Sequence, residues 1–329
     1  MEVQDEAELC FPQLLNTSCR RPTSSGFQAV FLKILLSSLS LLTVALNLLV
    51  IISVSHFRQL HTPTNLLLLS LAVSDFLVGL LLIPGAVVLQ TFCWFLGDEI
   101  CLLCNYMSFI ITSSSVGDMV LISVDRYVAI CDPLHYTTRI TVRRVKLYVC
   151  LCWLFSALFS IVFTKDELTQ PGKYNSCQGE CVFVIEYISG LVDLVLTFIV
   201  PVTLIIILYM RVFVVAVSQA RAMRSHVAAV TLQVSLTLTS KKSELKAART
   251  LGILVVVFLI CFCPYYITVL AGNNLLNTSS AFFVLHLLQF NSCLNPVIYT
   301  LFYPWFRKAS KFIVTLQILQ PGSCDANIL

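Results

Sequence analysis

Charge is what this sequence has least of. Asp, Glu, Lys and Arg supply 12% of its 329 residues, about half the share found in a soluble domain. Hydrophobic residues supply 58%, and the mean hydropathy is +0.89. Too little polar surface remains to cover a water-soluble globule, so that class is excluded. Absent too is the polar–apolar alternation over roughly 9–11 residues that a membrane β-barrel strand needs. The apolar residues run instead in blocks of about 20 or more, enough at about 1.5 Å per residue to cross a hydrocarbon layer of about 30 Å as helix. The fold class is therefore an all-α membrane protein, a helix bundle. No leading apolar core precedes residue 27, where several acids stand instead. A cleaved signal peptide is not expected, and the first span serves as the targeting signal. No internal repeat is visible.

Seven spans can be drawn, over residues 27–54, 64–91, 98–131, 145–164, 184–213, 246–271 and 279–303. An odd count puts the chain ends on opposite sides. Cytoplasmic segments are enriched in Lys and Arg, and one orientation places 16 of these residues inside and 5 outside. The N-terminus is therefore expected outside. This divides the chain into an outer N-tail (1–26), a seven-span domain with a surface helix (27–315) and an inner C-tail (316–329). The stretch from about 214 to 245 reads as an inner linker. The net charge of +4 fits the inside bias and contact with lipid headgroups, and does not point to nucleic acid.

Two sequons, Asn16-Thr17-Ser18 and Asn277-Thr278-Ser279, fall on segments expected outside, so Asn16 and Asn277 are candidate glycosylation sites. Six of the 14 cysteines, Cys10, Cys19, Cys93, Cys101, Cys177 and Cys181, lie in or beside outer segments, where disulfides are stable. Six cysteines allow 15 connectivities, and the sequence alone does not choose among them. Cys324, beyond the last span, is a candidate for palmitoylation.

An ionisable group at the centre of a spanning helix costs roughly 2.5–3.5 kcal/mol, so each needs a partner or a wet cavity. Asp98, Glu99 and Glu186 sit near span ends, which leaves Asp75, Asp118, Asp125 and Asp193, with Arg126 at the end of span three. Asp125-Arg126-Tyr127 at the inner end of that span reads, taken alone, as an ion pair reaching for water. Other residues follow in order: Asn47, Asp75 in Leu71-Ala72-Val73-Ser74-Asp75, Trp153, Pro201, Cys261-Phe262-Cys263-Pro264 and Asn295-Pro296-Val297-Ile298-Tyr299. Together they resemble the rhodopsin-like G-protein-coupled receptors over residues 27–312. The run from Asn291 to Phe306 is similar, more narrowly, to the seventh-helix fingerprint of the trace amine-associated receptors, and the stretches 56–65 and 93–97 agree with it. The resemblance implies a plasma-membrane receptor for small amines, often olfactory, that performs no covalent chemistry and acts on a heterotrimeric G protein of the stimulatory class. It also implies that Cys101 pairs with Cys181 and Cys19 with Cys177; Cys10 and Cys93 stay unassigned.

The same packing would bring Asp75, Ser115, Asn291, Ser292 and Asn295 together at mid-membrane. A carboxylate among hydroxyl and amide oxygens suits a hard cation such as sodium, and a hydrated network without an ion is the alternative. No other cofactor is implied. At the inner end, Arg126 is expected either to bridge to Glu244 at the start of span six or to leave Glu244 to its neighbouring lysines. Pro201 and Pro264 should kink spans five and six. Tyr209 and Tyr299 either meet through water when span six moves or simply pack. Residues 303–312 set Trp305, Phe306 and Phe312 against Arg307, Lys308 and Lys311, the pattern of an amphipathic surface helix.

The ligand's counter-ion departs from the family pattern. The usual aspartate, seven residues after the span-three disulfide cysteine, is here Ser108, and the usual supporting tyrosine of span seven is Gln289. Asp193, about 12 Å above Pro201 along span five, is expected to take that role, which resembles the fish members with a fifth-span aspartate; a structural acid is the alternative. Phe109, Phe262, Tyr265 and Tyr266 are candidate aromatic contacts for an ammonium, Thr112 lines the same wall, and His286 is read mainly as a packed polar residue. Asp118, ten residues below Ser108, is too deep for an outer pocket and reads as structural. The rival classes are a receptor of this fold for a non-amine ligand and a transporter that uses the buried acids. Transporters commonly carry inverted repeats and broken helices, and neither is visible here.

Overall fold

The computed structural model describes residues 9–20, 27–91, 93–182, 184, 187–227, 252–268, 270 and 278–328. These residues form helices and loops, with two isolated bridges, Leu9–Arg20 and Ser18–Gln178, in place of any strand. Helix α1 is Phe27–His56. Helix α2 runs from Pro63–Leu77 through a widened π turn, Val78–Leu82, into Ile83–Thr91. Helices α3 (Gly97–Cys131) and α4 (Val142–Thr169) follow. Helix α5 comprises Tyr187–Asp193, a second π segment at Leu194–Ile199, and Val200–Val227. Helices α6 (Gly252–Thr268), α7 (Thr278–Phe302) and the short α8 (Pro304–Val314) complete the bundle.

Local chemistry sets several boundaries. Thr62 caps α2 by accepting a hydrogen bond from the Asn65 amide at 3.3 Å, and Pro63 takes the first turn, where a missing N–H costs nothing. Thr141 caps α4 in the same way. Each π segment stands just ahead of a proline, Pro84 in α2 and Pro201 in α5. Proline cannot donate to the carbonyl four residues back and its ring crowds that oxygen, and a widened turn relieves both defects. The kink expected at Pro201 thus takes the form of an inserted π segment.

Five of the described helices are long and apolar enough to cross a membrane. Their hydroxyl groups bond to their own backbone: Thr43 donates to the Leu39 carbonyl at 2.8 Å, Ser123 to Met119 at 2.7 Å and Ser160 to Ser156 at 2.7 Å. A medium without water leaves few other partners. Leu41, Leu154, Phe155 and Ile207 face outward, while Leu68, Leu71, Met119, Ile122, Phe258 and Tyr299 form the shared core.

Helix α3 is the hub, packed on α2, α4 and α5. Its contact with α4 is close because Gly117 has no side chain; a Cβ there would overlap Cys152 Sγ. Gly117→Ala should therefore cost about 1–3 kcal/mol by overpacking, read as a lower thermal midpoint, and Cys152→Ala in the same chain should restore most of it. An unchanged midpoint in the single variant would contradict this packing.

Two further features depart from the expected layout. Helix α5 continues to Val227, well into the stretch read as linker. The C-tail folds back onto the α1–α2 loop: Asp325 pairs with Arg58 at 3.3 Å, Ser323 Oγ lies 3.0 Å from His56 Nε2, and the Ile328 amide donates to Gln59 Oε1 at 3.3 Å. Helix α8 is amphipathic as expected. Trp305, Phe306 and Ala309 are buried, and Arg307 donates to the Thr300 and Leu301 carbonyls, capping α7.

Candidate functional site

The widened turn of α5 arranges the first polar cluster. Thr197 Oγ1 lies 2.6 Å from the Asp193 carbonyl and 3.0 Å from Asp193 Oδ1, with the Tyr266 hydroxyl of α6 at 3.2 Å. Thr197 has one hydrogen and shares it between the two Asp193 oxygens, so Tyr266 is the donor to Thr197. The resulting chain, Tyr266 to Thr197 to Asp193, points two hydroxyl dipoles at the carboxylate. Phe198 stacks on Tyr266 with centroids 4.3 Å apart, which packs α5 against α6 at the same level.

Beside this chain lies a cavity of about 110 Å³. Asp193, Ser108, Phe109, Thr112, Tyr265, Tyr266 and Gln289 all line it, and Asp193 is the one carboxylate among its described lining residues. Phe262 does not line it. That side chain is buried and stacked on Phe258 at 4.1 Å, within the helix core, because the ring faces its own helix one turn down. Phe109 stacks on Phe163 of α4 at 5.6 Å. His286 Nδ1 lies 3.1 Å from Gln289 Oε1, and the ring borders an apolar groove between α1 and α7 instead of the cavity. Five lining residues escaped sequence reasoning: Leu82, Ser113, Thr197, Leu285 and Leu288. Thr197 was findable, since a hydroxyl four residues after a lone acid stands on the same helix face.

Deeper in the bundle, Asp75, Ser115, Asn291, Ser292 and Asn295 are all buried. Asn295 Nδ2 donates to Asp75 Oδ2 at 2.7 Å, and the Ser292 side chain also bonds to Asp75. Asn47 ties α1 to α7 by donating to the Ser292 carbonyl at 2.9 Å. Asp75 Oδ1, Asn47 Oδ1, Asn291 Oδ1 and Asn295 Oδ1 are buried oxygens without a donor among the described residues. An all-oxygen set with open lone pairs fits a hard monovalent cation.

At the end opposite the N-tail, Arg126 Nε donates to Asp125 Oδ2 at 3.0 Å and Nη2 to Thr64 Oγ1 at 2.6 Å. Tyr136, in the turn after α3, donates to Asp125 Oδ1 at 2.9 Å. Burial, followed by the Asp125 charge, pushes the Tyr136 phenol up, so it remains a donor. In the same loop a hydrogen bond from His135 Nδ1 at 2.7 Å, aided by Arg139, holds Asp132 below the usual carboxylate range. The hydroxyls of Tyr209 and Tyr299 are buried without a partner among the described residues. Glu244, Glu186 and Asn277 lie outside the described residues.

Comparison with known proteins decides the family. The description "7 transmembrane receptor (rhodopsin family)" matches residues 46–299. Trace amine-associated receptor 13c of Danio rerio is 36% identical, over 98% of this chain and 97% of its own length. Trace amine-associated receptor 3 of Mus musculus is 36% identical over 96% and 95%, and trace amine-associated receptor 1 of Homo sapiens 34% over 94% and 95%. The chain belongs to the trace amine-associated receptors. It is thus a rhodopsin-family receptor, a multi-pass protein of the plasma membrane and not an enzyme.

The N-tail end of the receptor is closed by three disulfides. Cys101–Cys181 and Cys19–Cys177 are the pairs that the resemblance implied, and Cys10–Cys93 adds a third. The tail is also sewn to the loop after α4 by backbone bonds, from the Cys19 amide to the Gln178 carbonyl at 2.9 Å and from the Gln178 amide to Thr17 at 2.7 Å. Gly179 makes the crossing possible. Its φ is +105°, and a Cβ there would meet Cys10 Cβ at 3.0 Å. Asn16 is exposed on this cap.

Proposed function

We propose that this receptor senses small monoamines, that its N-terminus lies outside the cell, and that ligand binding promotes nucleotide exchange on a G protein of the stimulatory class, in an olfactory role. The reading rests on Asp193, the one carboxylate among the described residues lining the cavity. An ammonium there pairs with a carboxylate already oriented by Thr197 and Tyr266. Tyr265, Tyr266 and Phe109 offer ring faces for cation–π contact, and Ser108, Thr112 and Gln289 form the polar wall. The volume of about 110 Å³ holds about four water-sized groups, which favours a small ligand. The names of the relatives support an amine.

Transmission follows from the same contacts. The Tyr266–Thr197–Asp193 chain spans α5 and α6, so a cation on Asp193 biases how those helices sit together. At the other end, Glu244 would draw on Arg126, which also bonds to Asp125 and Thr64, and so restrain spans three and six at rest. Glu244→Ala should raise agonist-free cyclic AMP at matched surface expression, because one contact favouring the resting state is gone. Basal signalling equal to the parent would remove Glu244 from the restraint. Asp75, Ser115, Asn291, Ser292 and Asn295 would hold a sodium ion, whose charge would balance Asp75 in the resting state. Tyr209 and Tyr299 have open hydroxyls for a water bridge once α6 moves. Asn16 and Asn277 carry the glycans, and the basic face of α8 meets anionic lipid.

The test is a panel of volatile monoamines on cells that report cyclic AMP. A rise with at least one amine supports the reading. Response only to neutral ligands would overturn the amine assignment, and a fall in cyclic AMP would overturn the stimulatory class.

A further inference from the structure

Asp118 lies at the centre of the membrane-spanning bundle and has no part in the ligand cavity or the switch. It is 0% exposed. Its Oδ2 is 2.8 Å from Ser70 Oγ of α2, and Ser70 accepts a hydrogen bond from Trp153 Nε1 of α4 at 3.0 Å. Three helices thus meet on one carboxyl group. Its Oδ1 is buried and meets no donor among the described residues.

Among the described residues, the groups around Asp118 offer no counter-charge. Asp75 of α2, Cys152 of α4 and Tyr299 of α7 are near enough to feel its charge, and none is a base. Tyr209 of α5 and Tyr303, after α7, lie lower, beside Asp125 and Arg126. Arg126, two turns down α3, bonds to Asp125 and Thr64 and does not reach Asp118 in any described hydrogen bond or ion pair. An ionised Asp118 would therefore be desolvated, within electrostatic reach of Asp75, and with one oxygen lacking a donor among the described residues.

We propose that Asp118 is a proton-binding site inside the membrane, its proton lying on the contact with Ser70, so that a neutral hydrogen-bonded staple joins α2, α3 and α4. An oxygen–oxygen separation of 2.8 Å fits a proton donated from either side. With Asp118 protonated, Oδ2–H donates to Ser70 Oγ, whose two lone pairs receive Asp118 and Trp153. The unpaired Oδ1 is then a carbonyl oxygen, far less costly to bury than a carboxylate oxygen. When the proton leaves to water, the Ser70 hydroxyl turns back to the carboxylate and a second negative charge appears near Asp75. A cation at Asp75 and the proton at Asp118 are therefore linked, each changing the other's affinity by the same factor.

The experiment uses infrared spectra of the full-length receptor in phosphatidylcholine nanodiscs, in choline chloride so that no small metal ion competes. A protonated-carboxyl carbonyl band should be present in the parent and in Asp75→Asn, and absent from Asp118→Asn. A protonated-acid region unchanged by Asp118→Asn would overturn the proposal. If Asp118→Asn does not reach the membrane, Asp118→Glu keeps the acid, and the band must shift in frequency; an unshifted band is equally fatal. Thermal stability gives a second readout. A folded state that holds more protons than the unfolded state loses stability as pH rises, by up to tenfold in the folding equilibrium per pH unit for each proton. Asp118→Asn should lose one proton's share of that slope, and an unchanged slope would mean that Asp118 is ionised.

Discussion

Asp193→Asn is expected to weaken every amine agonist by at least about tenfold while leaving surface expression intact. The amide keeps the side chain's shape and can still accept from Thr197, so the bond at 3.0 Å survives with one neutral acceptor. What disappears is the charge that balances the ligand's ammonium. Removing one side of a desolvated charge pair typically costs about 2–5 kcal/mol, and about 1.4 kcal/mol already amounts to tenfold. Potency is read from cyclic AMP dose–response curves. Asp193→Glu should recover part of the loss if charge is what matters, although its longer arm no longer meets Thr197 in the same register. A dose response identical to the parent would mean that the ammonium lies elsewhere and that Asp193 is a structural acid.

The second large effect concerns valence. In the parent, a short diamine must leave its second ammonium in a cavity of about 110 Å³ that has one carboxylate among its described lining residues. That charge would be desolvated and unpaired, a cost of several kcal/mol, so monoamines with an apolar tail should be preferred. Ser108 lines the cavity from α3, across from Asp193 on α5. Ser108→Asp supplies the missing countercharge and should shift preference toward short diamines by tenfold or more. The measurement is the ratio of diamine to monoamine potency in parent and variant. If the parent already responds best to short diamines, or the variant reaches the surface without gaining a diamine response, the two acids do not face one shared ligand.

How much of this was legible beforehand depended on the physics behind each signal. The spans could be read because burial in lipid demands an unbroken apolar run, a signal that no neighbouring helix alters. The end of α5 could not be read in that way. The span drawn from the sequence ends at residue 213, the apolar run goes on to Val217, and the helix continues to Val227, because leaving the bilayer ends the need for apolar side chains and not the backbone ladder. Asp193 stood out as an expensive lone acid. Thr197 did not, because a threonine in an apolar helix usually bonds to its own backbone, which this one does while its hydroxyl also reaches the carboxylate one turn back. Phe262 was placed in the cavity by analogy of position, whereas its ring direction depends on packing against Phe258. The pairing of Cys10 with Cys93 was one choice among many that spacing does not rank.

That third disulfide bears on how the receptor is made. Cys10 can find Cys93 as soon as the first two helices have been threaded, but Cys19 has to wait for Cys177, on the far side of α3 and α4. Synthesis at roughly 5–20 residues per second makes that wait on the order of ten seconds. Throughout it Cys19 is a free thiol nine residues from a newly formed bond, well placed to attack it. Cys101, also waiting for its partner in the same loop, is a second trap. Thiol exchange must undo such detours before the cap can close. The yield of mature receptor in a host cell should therefore rise with its disulfide isomerase capacity.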